Sequence, residues 1–275
     1  MRAVFGIGEA EKDVNVIRNL FTRRRSKKIR LALGGGAVLG AAHVGVLQAI
    51  EEHELEVEAI AGTSIGAFIG ALYAFGKSWR EIRDIAKELD WFDISKFSPS
   101  RYGILSNAKM GEMLREVLGE VTLDQANVPF SAVATNAATG ETVVLKDGRV
   151  DQAIMASTCI PGIFIPVELN GRMLIDGGVV ENIPISPLHT RGAGSIVSVD
   201  LMANASRRSP DHMIDILLNV FYFSSISSTR FLSRERDVAI DLDLSKYNMV
   251  STAQVEELIE EGYHQSSPVL RRAFL

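Results

Sequence analysis

Residues 57–76 read VEAIAGTSIGAFIGALYAFG. The opening VEAIAG mixes β-branched and small apolar residues, as a short buried strand does. The closing IGAFIGALYAFG (65–76) is a helix stopped by a glycine. Between them sits Gly-Thr-Ser-Ile-Gly at 62–66. Such a string is weak alone, but a strand before it and a helix after it form the setting of a nucleophile elbow. There the chain turns sharply, and Gly62 and Gly66 permit close backbone approach. The turn lifts the Ser64 hydroxyl above the sheet, where the helix N-terminus favours developing negative charge. A plainer reading has Thr63 or Ser64 acting only as a helix cap.

Outward from this unit the same alternation continues. IRLAL (29–33) is a buried strand ending in glycines, and GAAHVGVLQAIEEH (40–53) is a helix. Two helical stretches follow near 78–90 and 107–119. FSAVATNAATGETVVL (130–145) reads as two strands turning at Thr139–Gly140. Further strands lie at 173–178, 195–200 and 238–244, and the tail from 252 is helical. Strands alternating with amphipathic helices predict a mostly parallel sheet covered by helices. Residues 203–235 have apolar side chains on more than one side, so they read either as a core helix or as a cover over an apolar cleft.

The glycine run GGGAVLG (34–40) also falls between a strand and a helix, and exposes backbone N–H groups. It reads either as a dinucleotide phosphate loop or as an oxyanion hole. The spacing departs from Gly-x-Gly-x-x-Gly, and the acidic residue expected about 20 positions later is poorly placed. The oxyanion reading fits better, because it gives the serine something to work with. Asp176, in the Asp-Gly-Gly at 176–178, follows the apolar MLI. It is either a turn residue or a carboxylate presented at the sheet edge that carries Ser64. Asp200 and Asp243 also lie at or near strand ends, so position alone does not choose among them. His43, His53, His189, His212 and His264 carry no signature tying them to Ser64. Serine with aspartate and no histidine is the economical reading.

The bulk numbers set bounds. The 275 residues are 47% hydrophobic and 23% charged, with formal net charge −5. That describes a globular chain able to bury a sizeable core, and not one built to bind nucleic acid. Cys159 is the single cysteine, so no intramolecular disulfide or all-cysteine metal site is available. No export signal and no apolar run of about 20 residues is visible, so the expected location is cytoplasmic. Residues 1–28 read as an N-terminal extension and 29–275 as one domain. In the extension, Val14, Ile17, Leu20 and Phe21 recur at helical spacing before the basic run RRRSKKIR (23–30). This is either a solvated helix or an amphipathic one making peripheral contact with an anionic inner membrane surface.

LALGGGAVLGAAHVGVL (31–47), GTSIG (62–66), MASTCIPGIFIPV (155–167) and LIDGGVVENIPI (174–185), in this order, resemble the patatin-like phospholipase family. The length resembles its compact bacterial members related to the catalytic domain of neuropathy target esterase. The resemblance implies a three-layer α/β/α sandwich and a Ser–Asp dyad needing no metal or organic cofactor. It implies hydrolysis of fatty-acyl esters in phospholipids, lysophospholipids or simpler esters. Ser64 matches the nucleophile and Asp176 its partner, while the amides of Gly35, Gly36 and Ala37 match the oxyanion loop. This loop departs from the family pattern: Ala37 replaces a glycine, and Leu39 replaces a basic residue and makes the site mouth more apolar. An acyltransferase using the same acyl-serine, or a weakly active binding protein on the same fold, are the alternatives. A nucleotide-binding protein built on the glycine run is a third.

Overall fold

A computed structural model describes residues 26–88, 96–204, 212–232 and 235–275. The helical spacing at 14–21 and the start of the basic run lie outside the described residues. The chain opens with β1 (Lys28–Leu33), a 3₁₀ turn (Ala37–Ala41), α1 (Ala42–Glu52), β2 (Glu56–Thr63) and α2 (Ile65–Ala74). It continues through α3 (Trp79–Glu88), the small hairpin β3 (Lys96–Phe97) and β4 (Leu105–Ser106), and α4 (Ala108–Leu118). Next come β5 (Phe130–Asn136), β6 (Thr142–Leu145), α5 (Val150–Ser157), β7 (Val167–Leu169) and β8 (Arg172–Asp176). The chain closes with β9 (Ser195–Asp200), α6 (Met213–Leu232), β10 (Val238–Asp241) and α7 (Val255–Phe274).

Eight strands form one sheet in which β10, β9, β1, β2 and β5 run parallel, while β6, β7 and β8 add antiparallel pairings at one side. The expected α/β/α sandwich with a mostly parallel sheet is therefore the architecture found. Period-2 alternation decides which side chain meets which layer. Ile29, Leu31, Leu33, Ile60, Val197 and Val199 join the large core under the helices. Ala32, Ala59, Ala61 and Ile196 face the other way, against Ile183, Ile185 and Leu188. The small alanines let that irregular segment lie close to the sheet.

The helical layer is drawn in tightly by glycine. A Cβ on Gly45 of α1 would run into the Ile259 carbonyl oxygen of α7, and one on Gly262 into that of Ala42. The two helices thus cross at backbone contact. α3 buries Trp79, Ile82 and Ala86 along one stripe and turns its charges to solvent. Within 203–235, α6 spans Met213–Leu232. Phe221, Ser225 and Thr229 are buried, while Met213, Ile216, Val220 and Phe223 are exposed. It is an amphipathic helix whose inner face packs on the 177–179 turn: Ser225 Oγ donates to the Gly178 carbonyl at 2.7 Å and Ser224 Oγ to the Val179 carbonyl at 2.7 Å.

Candidate active site

β2 pairs with β5 as far as Thr63 opposite Val133, and the chain then leaves the sheet at Ser64. Ser64 adopts φ 54°, ψ −126°, a backbone region that side chains rarely occupy. Such a residue stores about 1–3 kcal/mol of strain and persists only where its surroundings hold it. The holders are specific. Ser64 N–H donates to Ser157 Oγ at 2.9 Å, and that hydroxyl donates onward to the Val133 carbonyl at 2.6 Å. The Ser64 carbonyl accepts from Ala67 and Phe68 N–H at the start of α2. Thr63 Oγ1 donates to the Glu181 carbonyl at 2.9 Å, so Thr63 is tied to a distant loop rather than capping the helix. A side chain at Gly66 would strike the Leu33 carbonyl oxygen, and one at Gly62 the Ala67 backbone.

β8 reaches the same place from the opposite direction. It pairs antiparallel with β5, Leu174 opposite Asn136, Ile175 opposite Thr135 and Asp176 opposite Ala134. β6 occupies the other edge, with Val144 opposite Val133 and Val143 opposite Ala134. β8 therefore runs along the edge of β5 that β2 has just vacated, and both strands turn away where they meet. Every backbone group of Asp176 is fixed: its N–H donates to the Cys159 carbonyl at 2.8 Å, and its carbonyl accepts from Thr135 Oγ1 at 3.0 Å. Its Oδ1 accepts from Gly178 N–H at 2.8 Å. Oδ2 is buried with no hydrogen-bond partner among the described residues. Burial pushes the Asp176 carboxyl up to about 7, with the nearby Ser64 hydroxyl and the Gly178 N–H pulling the other way.

The glycine run forms the third wall. Gly34 N–H donates to the Val199 carbonyl, Gly35 N–H to the Asn182 carbonyl at 3.3 Å, and Val38 N–H to the Met249 carbonyl at 3.1 Å. The N–H groups of Gly36 and Ala37 make no hydrogen bond to another described residue. Ala37 sits at φ 52°, the left-handed region that a glycine would occupy without penalty. Leu39 is buried in the main core at 1% exposure, so it does not line a site mouth as its sequence position suggested. A small apolar cleft borders the run beside Ala37, Ile65, Ile69 and Val255.

Sequence reasoning passed over several neighbours. His43 is fully buried beneath the glycine run, and its Nε2 lies 2.8 Å from the Gly34 carbonyl. A carbonyl only accepts, so Nε2 carries the proton and Nδ1 is left as a buried lone pair without a partner among the described residues. Burial drives this imidazole down to about 4, against the effect of the Gly34 bond. Ser157 and Asn182 lay in plain view within the quoted MASTCIPGIFIPV and LIDGGVVENIPI stretches, with no sequence signal to single them out. The other carboxylates sit elsewhere. Asp200 Oδ1 caps Met202 N–H, and the charges acting on it are those of Asp241 and Arg236. Asp243 Oδ1 accepts from Ser245 N–H at a solvent-exposed turn.

Of the basic run, the described part is engaged locally: Lys27 pairs with Glu54, Lys28 with Glu56 and Glu58, and Arg30 donates to the carbonyls of Leu188 and Gly194. Among the described residues no helix is long and apolar enough to cross a membrane.

A strained serine at a strand–helix turn, a buried aspartate beside it and a glycine run with unpaired amides are the parts shared by one class of protein. Residues 31–189, more than half of the chain, match the model of the patatin-like phospholipase domain, and the chain belongs to that family. Among curated relatives, an uncharacterized NTE family protein of Mycobacterium tuberculosis is 37% identical over 188 residues, covering 67% of this chain and 51% of the relative. The chain thus spans about half the length of that relative. The lysophospholipase NTE1 of Saccharomyces cerevisiae is 30% identical over 188 residues, covering 66% of this chain and 11% of the yeast protein. Among solved structures, VipD from Legionella pneumophila shares the fold, with TM-score 0.55 and 16% identity over 91% of this chain and 67% of that one. So does ExoU of Pseudomonas aeruginosa in its complex with SpcU, with TM-score 0.52, 14% identity, and coverage of 91% and 53%.

Proposed function

We propose that this protein is a serine acyl hydrolase that cleaves fatty-acyl esters of lipids, lysophospholipids among them, through Ser64 and Asp176. The observation that carries this reading is the pairing of a strained Ser64 with a fully buried Asp176 on whose carboxylate the Ser64 hydroxyl acts. Ionised Asp176 takes the Ser64 proton as Oγ attacks the ester carbonyl. The free N–H groups of Gly36 and Ala37 receive the negative oxygen, with the Gly35 amide anchoring the loop to Asn182. Asp176 returns the proton to the departing alcohol, leaving an acyl group on Ser64. Water then attacks that ester, giving its proton to Asp176, and the fatty acid leaves as Ser64 regains a proton. The substrate class rests on family membership and on the kinship with a yeast lysophospholipase. A substrate held in a bilayer would bring the enzyme to a membrane surface from the cytoplasmic side.

The test is labelling of purified protein by a fluorescent fluorophosphonate, wild type beside Ser64→Ala. Labelling confined to the wild type is the expected result. A folded wild type that takes no label, or a Ser64→Ala protein that still does, overturns the assignment.

A further inference from the structure

Asn182 lies six residues beyond Asp176, at 1% exposure, yet neither Oδ1 nor Nδ2 of its carboxamide has a hydrogen-bond partner among the described residues. Its backbone is employed: the carbonyl accepts from Gly35 N–H, and the N–H donates to Ser228 Oγ at 3.4 Å. Only the side chain is idle. A buried carboxamide without partners forfeits its hydration and gains nothing in return, so native proteins rarely keep one without a use. Its location indicates the use. A Cβ built on Gly35 would lie 2.8 Å from Asn182 Oδ1 and 3.2 Å from Ser64 Cβ. The carboxamide and the nucleophile therefore face the same point, kept open because residue 35 is glycine. Asp176 Oδ2 is a second buried acceptor with no close hydrogen bond among the described residues, on a carboxylate that the Ser64 hydroxyl faces.

Two buried acceptors close to the Ser64 side chain suit a single water molecule. A water has two hydrogens to donate and a lone pair left to attack, and a buried water needs two or more polar partners. We infer that Asn182 Oδ1 and Asp176 Oδ2 together hold the hydrolytic water, so that Asn182 is a catalytic residue of the deacylation half-reaction. The inference rests on the Ser64 acyl-enzyme proposed above. One water hydrogen is held by Asn182 and stays on oxygen. The other passes to Asp176 as the water oxygen bonds to the acyl carbon. Collapse of the tetrahedral species breaks the bond to Ser64 Oγ, which takes the proton from Asp176, and the carboxylic acid departs with the water oxygen. Acylation uses no water and so does not call on Asn182.

The experiment separates the two half-reactions in the full-length protein, using p-nitrophenyl butyrate in rapid mixing together with fluorophosphonate labelling. In Asn182→Leu, which keeps the bulk and removes the acceptor, labelling of Ser64 and the burst of p-nitrophenol should match wild type. The steady-state rate should fall about tenfold to a hundredfold, as for loss of one hydrogen bond to a reacting group. Intact mass should show the butyryl-enzyme accumulating. Asn182→Ala, which leaves room for a second water to stand in for Oδ1, should recover part of the steady-state rate. Equal loss in labelling, burst and steady state, or an unchanged steady state in both variants, overturns the assignment. Failure of folded wild type to label instead overturns the Ser64 proposal, so the two failures are distinct.

Discussion

Thr63 and Asp176 occupy consecutive stations on one edge of β5, Thr63 opposite Val133 and Asp176 opposite Ala134, although 113 positions separate them in sequence. One strand arrives parallel and the other antiparallel, and each leaves the sheet at the junction. The gap between two strand ends on a shared edge is where Ser64 meets Asp176. The sheet itself therefore sets their separation, and loop flexibility has little part in it.

Because the elbow holds Ser64 at positive φ, removing its side chain should relax the fold. Ser64→Gly is expected to abolish esterase activity and to raise stability by ~1 kcal/mol, within the range for a strained residue. Thermal unfolding of Ser64→Gly beside Ser64→Ala measures it. Equal melting temperatures in the two would show that the elbow stores no strain.

Ala37 invites the same argument at the glycine run. An L-residue in the left-handed region costs about 1–2 kcal/mol, partly offset by the lower chain entropy of alanine in the unfolded state. Ala37→Gly should therefore stabilise the protein by ~0.5–1 kcal/mol in urea unfolding, with the denaturant slope unchanged.

The raised Asp176 pKa, about 7 against an ordinary 3.8, couples stability to pH. Its protonated form is favoured in the folded state, so its contribution is full below pH ~4 and is lost as pH rises through about 7. His43 acts in the opposite sense. With its pKa lowered to about 4, it favours folding above the ordinary histidine value and loses that support as pH falls through about 4. The two partly cancel at mildly acid pH, so the useful quantity is the difference between variant and wild type. Asp176→Asn should be more stable than wild type by ~1–3 kcal/mol at pH 8 and by much less at pH 5. Hydrolysis, which needs the ionised base, should rise through an apparent pKa near 7, measured as kcat/KM from pH 5 to 9.

Ser157 bridges the elbow to the sheet through one hydroxyl. Ser157→Ala leaves the buried Ser64 N–H and Val133 carbonyl without this partner, at a cost of about 1–3 kcal/mol. Loss of the bridge also frees the elbow to rotate. A drop in melting temperature together with slower fluorophosphonate labelling is expected, and undiminished labelling in a destabilised protein would limit Ser157 to a structural part.

Much of this was legible in the sequence, for identifiable reasons. β1, β2, β5 and β9 are buried runs, β1 followed by glycines and β9 closed by Asp200, and their bounds fell close to expectation. The elbow was readable because its backbone demands small neighbours in a fixed order. Other features left weaker traces. β7 and β8 are joined by Asn170–Gly171, both at positive φ. That dipeptide is a strong hairpin signal, but VEL is too short a run to register as a strand beside it. α5, only eight residues long with Asp151 buried against Arg115 and Arg149, hid its periodicity behind an ion cluster. The orphaned carboxamide of Asn182 and the lone proton of His43 leave no trace in spacing, because both are consequences of long-range packing.

The glycine run is tied to residues far along the chain: Val38 holds the Met249 carbonyl, and α1 crosses α7 at Gly45 and Gly262. On the ribosome, a chain synthesised through residue 241 already carries its serine, its aspartate and all ten strands. It still lacks the helix that seats the run. A nascent chain that has not yet reached α7 would therefore hold Ser64 and Asp176 beside a glycine run with nothing to seat it.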